Sequence, residues 1–275
     1  MHYLQLFDLE DRTLLTIGSS CDQAINAILH GAKDITVFDI CPFVKEYYYL
    51  KKAAILALSI DEFMNFFCYK NYSMMIIDNK MAFDMDIYLK IRNTLKSYSD
   101  DILYFWDMIF FKYNGIVIRR QMFSTDENRS MILRKINDYL CDEGNYLKLR
   151  KIIDNTNIEF VRGDIFTSEI TKKYDNIFLS NLACYHSLAN IKELFLKMHD
   201  HLNDEGKMLL AYLYETTEYS DDYMSGEPEI YDIPRVKRTF PKEIVFDSFL
   251  GVSGIRNKMD DFKDSVITYK KVKKI

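Results

Sequence analysis

No Cys-x-x-Cys pair occurs in this chain. Its five cysteines (Cys21, Cys41, Cys68, Cys141 and Cys184) are odd in number and have no close partners. That usage argues against a disulfide framework or a zinc site and fits reduced thiols. No metal ligand set is expected. A basic excess is missing too, with 36 Lys and Arg against 41 Asp and Glu and a net charge of −5. Phosphate-binding domains are normally basic, so nucleic acid is not an expected partner. Long apolar runs are absent. The most apolar stretch, Ile102 to Phe111, is interrupted by Asp107 and is too short to span a bilayer. The opening residues, MHYLQLFDLEDR, lack the basic start, apolar core and cleavage site of a signal peptide. A cytoplasmic location is expected. Neither an internal repeat nor a low-complexity segment is seen.

What is present is an ordinary globular composition, 48% apolar and 28% charged, over 275 residues. One large core fits that length, and the whole chain 1–275 reads as a single domain. The 20 Tyr and 19 Phe supply bulky core residues or rings to line a pocket.

Residues 13–18 (TLLTIG) read as a buried strand ending in glycine. Ser20 with Gln23 makes a capping-box pattern for a following helix, which Gly31 would end in a left-handed cap. Residues 35–39 (ITVFD) are a second buried strand ending in an acid, giving a β-α-β unit within about thirty residues. Pro42 suits a helix first turn, with helices over about 43–58 and from Asp61 to about Cys68. The stretch 73–78 fits strand or helix. Residues 81–153 are mostly helical and read as an insertion. Strands return at 158–164 (IEFVRGD), 174–181 (YDNIFLSN) and 207–214 (KMLLAYLY), the last after a turn at 203–206. A helix over about 188–202 places Leu194, Met198 and Leu202 on one face. Residues 216–241 hold Gly226, Pro228, Pro234 and Pro241 and read as an irregular flap. The segment 245–250 is a closing helix or strand, and 265–272 is an antiparallel final strand.

Four segments carry the chemistry. The small-residue turn from Gly18 to Asp22 lets backbone N–H groups approach a ligand at a helix N-terminus. Asp39, 21 residues after Gly18, stands where doubly wound folds place an acid on ribose hydroxyls. The alternative for Asp39 is a cap for the helix at Pro42. Asp164 follows a later strand and suits an adenine amino group; Asn181 ends the next one. The dinucleotide fingerprint is absent, since Gly18 is the only glycine from 18 to 23, and no phosphate-binding G-x-x-x-x-G-K-[ST] occurs. S-adenosylmethionine needs no phosphate cradle and tolerates Ser, Cys and Asp in its loop.

The runs LLTIGSSCDQAINAILHGAKDITVFDICP and LKKAAILALSIDEF (50–63), with FWD (105–107), VRGDIF (161–166) and YDNIFLSNLACY (174–185), resemble a particular family of S-adenosylmethionine-dependent transferases. These are the enzymes of betaine-lipid synthesis that move a 3-amino-3-carboxypropyl group onto diacylglycerol. The similarity covers roughly residues 13–215, and the LKKAAILAL helix is its most specific part. The resemblance implies an α/β fold: a doubly wound, Rossmann-like class I methyltransferase sheet with a helical insertion. It implies that Gly18, Ser19, Ser20 and Asp22 contact the methionine portion of the cofactor. Asp39, with Ile40 beside it, would hold ribose; Asp164 and Ile165 would hold adenine. Asn181 and Tyr185 would face the reacting end and serve as the catalytic residues. The chain departs from the family at its start, where the first strand begins near residue 13 and leaves little of the usual amino-terminal helical segment.

The expected activity is transfer of a methyl or 3-amino-3-carboxypropyl group to a small-molecule or lipid acceptor. The alternative is a non-catalytic adenosine-ligand-binding protein of the same fold. Three further features have two readings each. His186 is a general base or a surface or capping residue. Trp106 shapes a lipid groove or packs a core. The terminal KKVKKI touches an anionic membrane or is a solvated tail. His199 and His201 are expected near a helix C-terminus.

Overall fold

The computed structural model describes residues 2–67, 84–112, 134, 136–182, 186–215, 246–253 and 263–272. The expected flap at 216–241, the stretch 73–78 and Tyr185 lie outside them. The chain forms two compact units.

One unit comprises residues 19–29 and 41–156. Among its described residues the α-helices are α1 (Asp22–Leu29), α2 (Val44–Ala57), α3 (Ile60–Phe67), α4 (Met85–Leu95), α5 (Asp100–Asp107), α6 (Asp138–Cys141) and α7 (Glu143–Ile152). Short polar side chains start three of them. Asp84 accepts from the Asp86 and Ile87 N–H groups, Ser99 from Ile102, and Asp142 from Asn145. Aromatic rings fill the interior: Tyr47, Tyr48, Phe63, Phe66, Tyr88, Trp106, Phe110, Tyr139 and Tyr146 are all fully buried. Trp106 belongs to this core, and its indole N–H donates to the Glu46 carbonyl at 2.9 Å.

Two local expectations are corrected here. The capping box at Ser20 does not form. Ser19 and Cys21 both take positive φ, 44° and 60°, and the Ser20 hydroxyl donates to Asp22 Oδ2 at 2.8 Å. The helix therefore begins at Asp22. Pro42 is not in the first turn of α2; it precedes the N-cap residue Phe43.

The other unit comprises residues 2–18, 30–40 and 157–275. It contains β1 (Thr13–Ile17), β2 (Asp34–Asp39), β3 (Asn157–Arg162), β4 (Tyr174–Phe178), β5 (Leu202–Glu215), β6 (Phe246–Ser253) and β7 (Lys263–Lys270). Among the described residues these form a seven-stranded sheet in the order β3-β2-β1-β4-β5-β7-β6. The first five are parallel, and β7 runs antiparallel to both β5 and β6. Strand order reverses at β1, which is the topological switch of a doubly wound sheet. The fold is the doubly wound, Rossmann-like α/β arrangement expected from the sequence.

Helix α8 (Leu188–Asp200) packs Ile191, Leu194, Phe195 and Met198 onto Leu15, Phe38, Ile177, Leu179, Met208 and Leu210. On the opposite face, Phe178 meets the rings of Tyr3 and Phe7. The alternation of Ile177, Phe178 and Leu179 is the period-2 pattern of a strand covered on both sides. Leu202 does not extend α8 as expected; it opens β5. The expected turn at 203–206 survives as a bulge inside that strand, where Glu205 takes φ 63°. The first two lysines of the terminal segment KKVKKI have protein partners. Lys270 pairs with Glu205 at 2.7 Å, and the Lys271 ammonium donates to the His199 and Leu202 carbonyls.

Candidate functional site

The strand register brings the expected ligand-binding positions of the sheet unit to one edge. Ile17 pairs with Phe38, Thr16 with Phe178 and Asp39 with Arg162. Continuing that register sets Gly18 level with Asp39 on one side and with Ser180 on the other. Asp164 lies two residues past Arg162, and Asn181 follows Ser180. Gly18, Asp39, Asp164 and Asn181 therefore stand at the carboxyl ends of four neighbouring strands, β3-β2-β1-β4. Backbone hydrogen bonds lace the row together: Gly18 N–H donates to the Phe38 carbonyl at 3.0 Å and Gly163 N–H to the Asp39 carbonyl at 2.9 Å. Asp39, Asp164 and Asn181 are half-buried, and Ile40 is 71% exposed. Ile165 is buried in the core beneath the edge. Ser180 takes φ 50°. Left-handed backbone at a non-glycine residue costs about 1–2 kcal/mol, and such strain clusters at functional sites.

A helical turn follows β3. The Thr167 and Ser168 N–H groups donate to the Asp164 carbonyl at 3.1 and 2.8 Å. The Phe166 N–H donates to Asp164 Oδ1 at 2.9 Å. His186 lies against this turn, its ring 4.2 Å from that of Phe166 between centroids. It therefore stands at the carboxyl edge of the sheet, whereas His199 and His201 end α8, as expected. The Lys197 ammonium donates to three carbonyls of the turn: Ile165 at 2.9 Å, Phe166 at 3.2 Å and Ser168 at 2.6 Å. Burial holds the Lys197 amine below the usual lysine range, and the Asp164 charge opposes that shift.

In the helical unit, Ser19, Ser20 and Asp22 continue the chain from Gly18. Ser19 is exposed and Ser20 half-buried. Asp22 is 5% exposed, and protein groups occupy both of its oxygens. Oδ1 accepts from the Lys51 ammonium at 2.7 Å and the Tyr139 hydroxyl at 2.7 Å; Oδ2 accepts from Ser20. Lys51 also donates to the Ser20 carbonyl at 2.8 Å. Burial pushes the Tyr139 phenol well above its ordinary range, and the Asp22 charge and hydrogen bond push it further. Here Asp22 acts on its own turn, which it holds in shape.

Reading the sequence missed Lys51, Tyr139 and Lys197. One signal was available for Lys51. It lies on the stripe Tyr47, Lys51, Ala54, Leu58, spaced as the buried face of α2, and a lysine on such a stripe needs a partner. Tyr139 and Lys197 carry no such mark. Among the described residues there is no group of three or more His, Cys, Asp or Glu able to hold a metal ion, and no helix is long and apolar enough to cross a membrane.

No protein-family model matches the chain, and no curated protein matches it. Solved structures do. The N-methyltransferase NodS from Bradyrhizobium japonicum WM9, in complex with S-adenosyl-L-homocysteine, is 9% identical; the alignment covers 98% of this chain and 82% of that one, with a TM-score of 0.44. An RNA methyltransferase from Salinibacter ruber, also in complex with S-adenosyl-L-homocysteine, is 12% identical over 100% of this chain and 90% of that one, with a TM-score of 0.37.

Proposed function

We propose that this chain binds S-adenosylmethionine at the carboxyl edge of its sheet and transfers a group from the sulfonium to an acceptor. The supporting observation is the row Gly18, Asp39, Asp164 and Asn181 on four adjacent parallel strand ends at a topological switch, where open α/β sheets bind ligands. In this reading Asp39, with Ile40 beside it, accepts from the ribose hydroxyls. Asp164 accepts from the adenine amino group, and Ile165 beside it helps hold the base. Gly18, Ser19 and Ser20 offer backbone and hydroxyl groups to the methionine portion, and Asp22 shapes their turn. Asn181 and Tyr185 orient the acceptor.

A sulfonium leaves as a neutral thioether and needs little acid assistance, so the site's task is in-line positioning of the nucleophile. Attack at the methyl carbon gives methylation, and attack at the methionine Cγ gives 3-amino-3-carboxypropyl transfer. The acceptor is a small molecule or a lipid. Mass spectrometry after incubation with S-adenosylmethionine and cell extract tests the reading. S-adenosylhomocysteine marks methyl transfer and methylthioadenosine marks aminocarboxypropyl transfer. Cofactor binding with neither product leaves a binding protein without turnover. Calorimetry showing NAD bound more tightly than S-adenosylmethionine overturns the cofactor assignment.

A further inference from the structure

The turn Asp164–Ser168 is sealed at both ends by side chains, and the two seals have different consequences. At its start, Asp164 Oδ1 accepts from the Phe166 N–H at 2.9 Å. One carboxylate oxygen is thus committed to the turn, while Oδ2 has no hydrogen-bond partner among the described residues. At its end, the Ile165, Phe166 and Ser168 carbonyls point out of a helical turn that is not continued, so no later N–H of that turn serves them. Lys197, in the last turn of α8, takes all three. An ammonium has three N–H donors and no acceptor, so the match is complete. A cation at the carbonyl end of a helical turn is also favoured by the local dipole.

Lys197 thus spends its hydrogen-bonding capacity on backbone, in a half-buried position, rather than on a carboxylate or on water. We infer that Lys197 is the positioning residue for base recognition: it clamps the turn so that the remaining oxygen of Asp164 is held for the exocyclic amino group of adenine. The inference rests on the cofactor reading above. Lys197 touches no ligand in it and acts through Asp164. A clamp confined to this turn leaves ribose and methionine contacts unchanged, so its loss is felt in the choice of base.

The test measures binding of S-adenosylhomocysteine and of its inosine counterpart, which carries a carbonyl where adenine has the amino group. An acceptor-only carboxylate oxygen discriminates against that carbonyl. The unaltered protein is expected to prefer the adenine form by about tenfold or more, since a hydrogen bond to a charged group is worth about that much. Lys197→Met is expected to reduce the preference to within about threefold, mainly by weakening the adenine form. Lys197→Arg, which keeps the charge and several donors, is expected to retain most of it. Asp164→Asn is expected to lose the preference, and adding Lys197→Met to it is expected to change the ratio no further.

An unchanged preference in folded Lys197→Met, with clear discrimination in the unaltered protein, overturns the clamp and leaves cofactor binding standing. An unaltered protein that binds neither compound overturns both. Where Lys197→Met fails to fold, Lys197→Gln is measured in its place, with the same outcomes deciding.

Discussion

Lys51 donates to Asp22 at 2.7 Å, and both side chains are about 6% exposed. The two residues are 29 positions apart, one on the turn that follows Gly18 and one in the second helix. Lys51 also donates to the carbonyl of Ser20, which lies between the left-handed residues Ser19 and Cys21. The charges are worth keeping only together. Removing one partner leaves an uncompensated buried charge, which typically costs about 3–5 kcal/mol. Lys51→Met is therefore expected to lower the free energy of unfolding by that amount, measured by chemical denaturation. Combining it with Asp22→Asn is expected to recover part of the loss, because the orphaned charge goes with it. A double variant less stable than Lys51→Met would show that the pair is not the source of the effect.

Asp39→Ala is expected to weaken S-adenosylmethionine binding by about ten- to a hundredfold. A carboxylate accepting two ribose hydrogen bonds contributes roughly 1.5–3 kcal/mol, and 1.4 kcal/mol is tenfold. Calorimetry on the folded variant is the measurement. Unchanged affinity would remove Asp39 from the ribose site.

Gly206→Ala is expected to do the reverse. A Cβ at Gly206 would lie 2.8 Å from the Asn203 carbonyl and 3.0 Å from that of Asp175, both backbone atoms. The chain must shift to admit it, at a cost of about 1–3 kcal/mol. This bulge lies toward the amino end of β5, away from the ligand-binding edge. Stability falls and cofactor affinity stays within about twofold. Equal losses in both would show that the two ends of the sheet are coupled.

Asp175 gives a pH dependence with a definite sign. Burial alone would raise its pKa. The Thr13 N–H, the Asn203 amide and the Thr13 hydroxyl outweigh that and hold it below the ordinary aspartate range. A carboxylate depressed in the folded state contributes stability that is full above the unfolded pKa, about 4. The contribution is lost as pH falls through the lower folded value. The stability difference between the unaltered protein and Asp175→Asn should be largest at neutral pH and shrink below pH of about 4. A difference constant from pH 7 to pH 2 would assign the effect to packing.

Much of the sheet was legible in the chain because its strands are marked locally. TLLTI, ITVFD and IEFVR are short apolar or alternating runs with a turn residue or an acid just beyond, and each became a strand of the parallel set. The candidate edge was legible for the same reason: an acid at a strand end is a matter of local spacing, and parallel pairing then aligns those ends. Capping was less legible. Ser20 has a good local partner in Gln23, yet its hydroxyl goes to Asp22, whose other oxygen takes Lys51 and Tyr139 from distant parts of the chain.

By itself, then, the sequence determined where backbone runs straight or helical, and which small or acidic residues stand at the turns, since those depend on neighbours within a few positions. Only the tertiary structure decided what satisfies the polar groups at those turns. Asp22 takes Lys51 and, 117 positions away, Tyr139; the carbonyls after Asp164 take Lys197 from about thirty positions on. Buried polar groups must find partners wherever packing brings a donor within about 3 Å, and no local pattern records that distance.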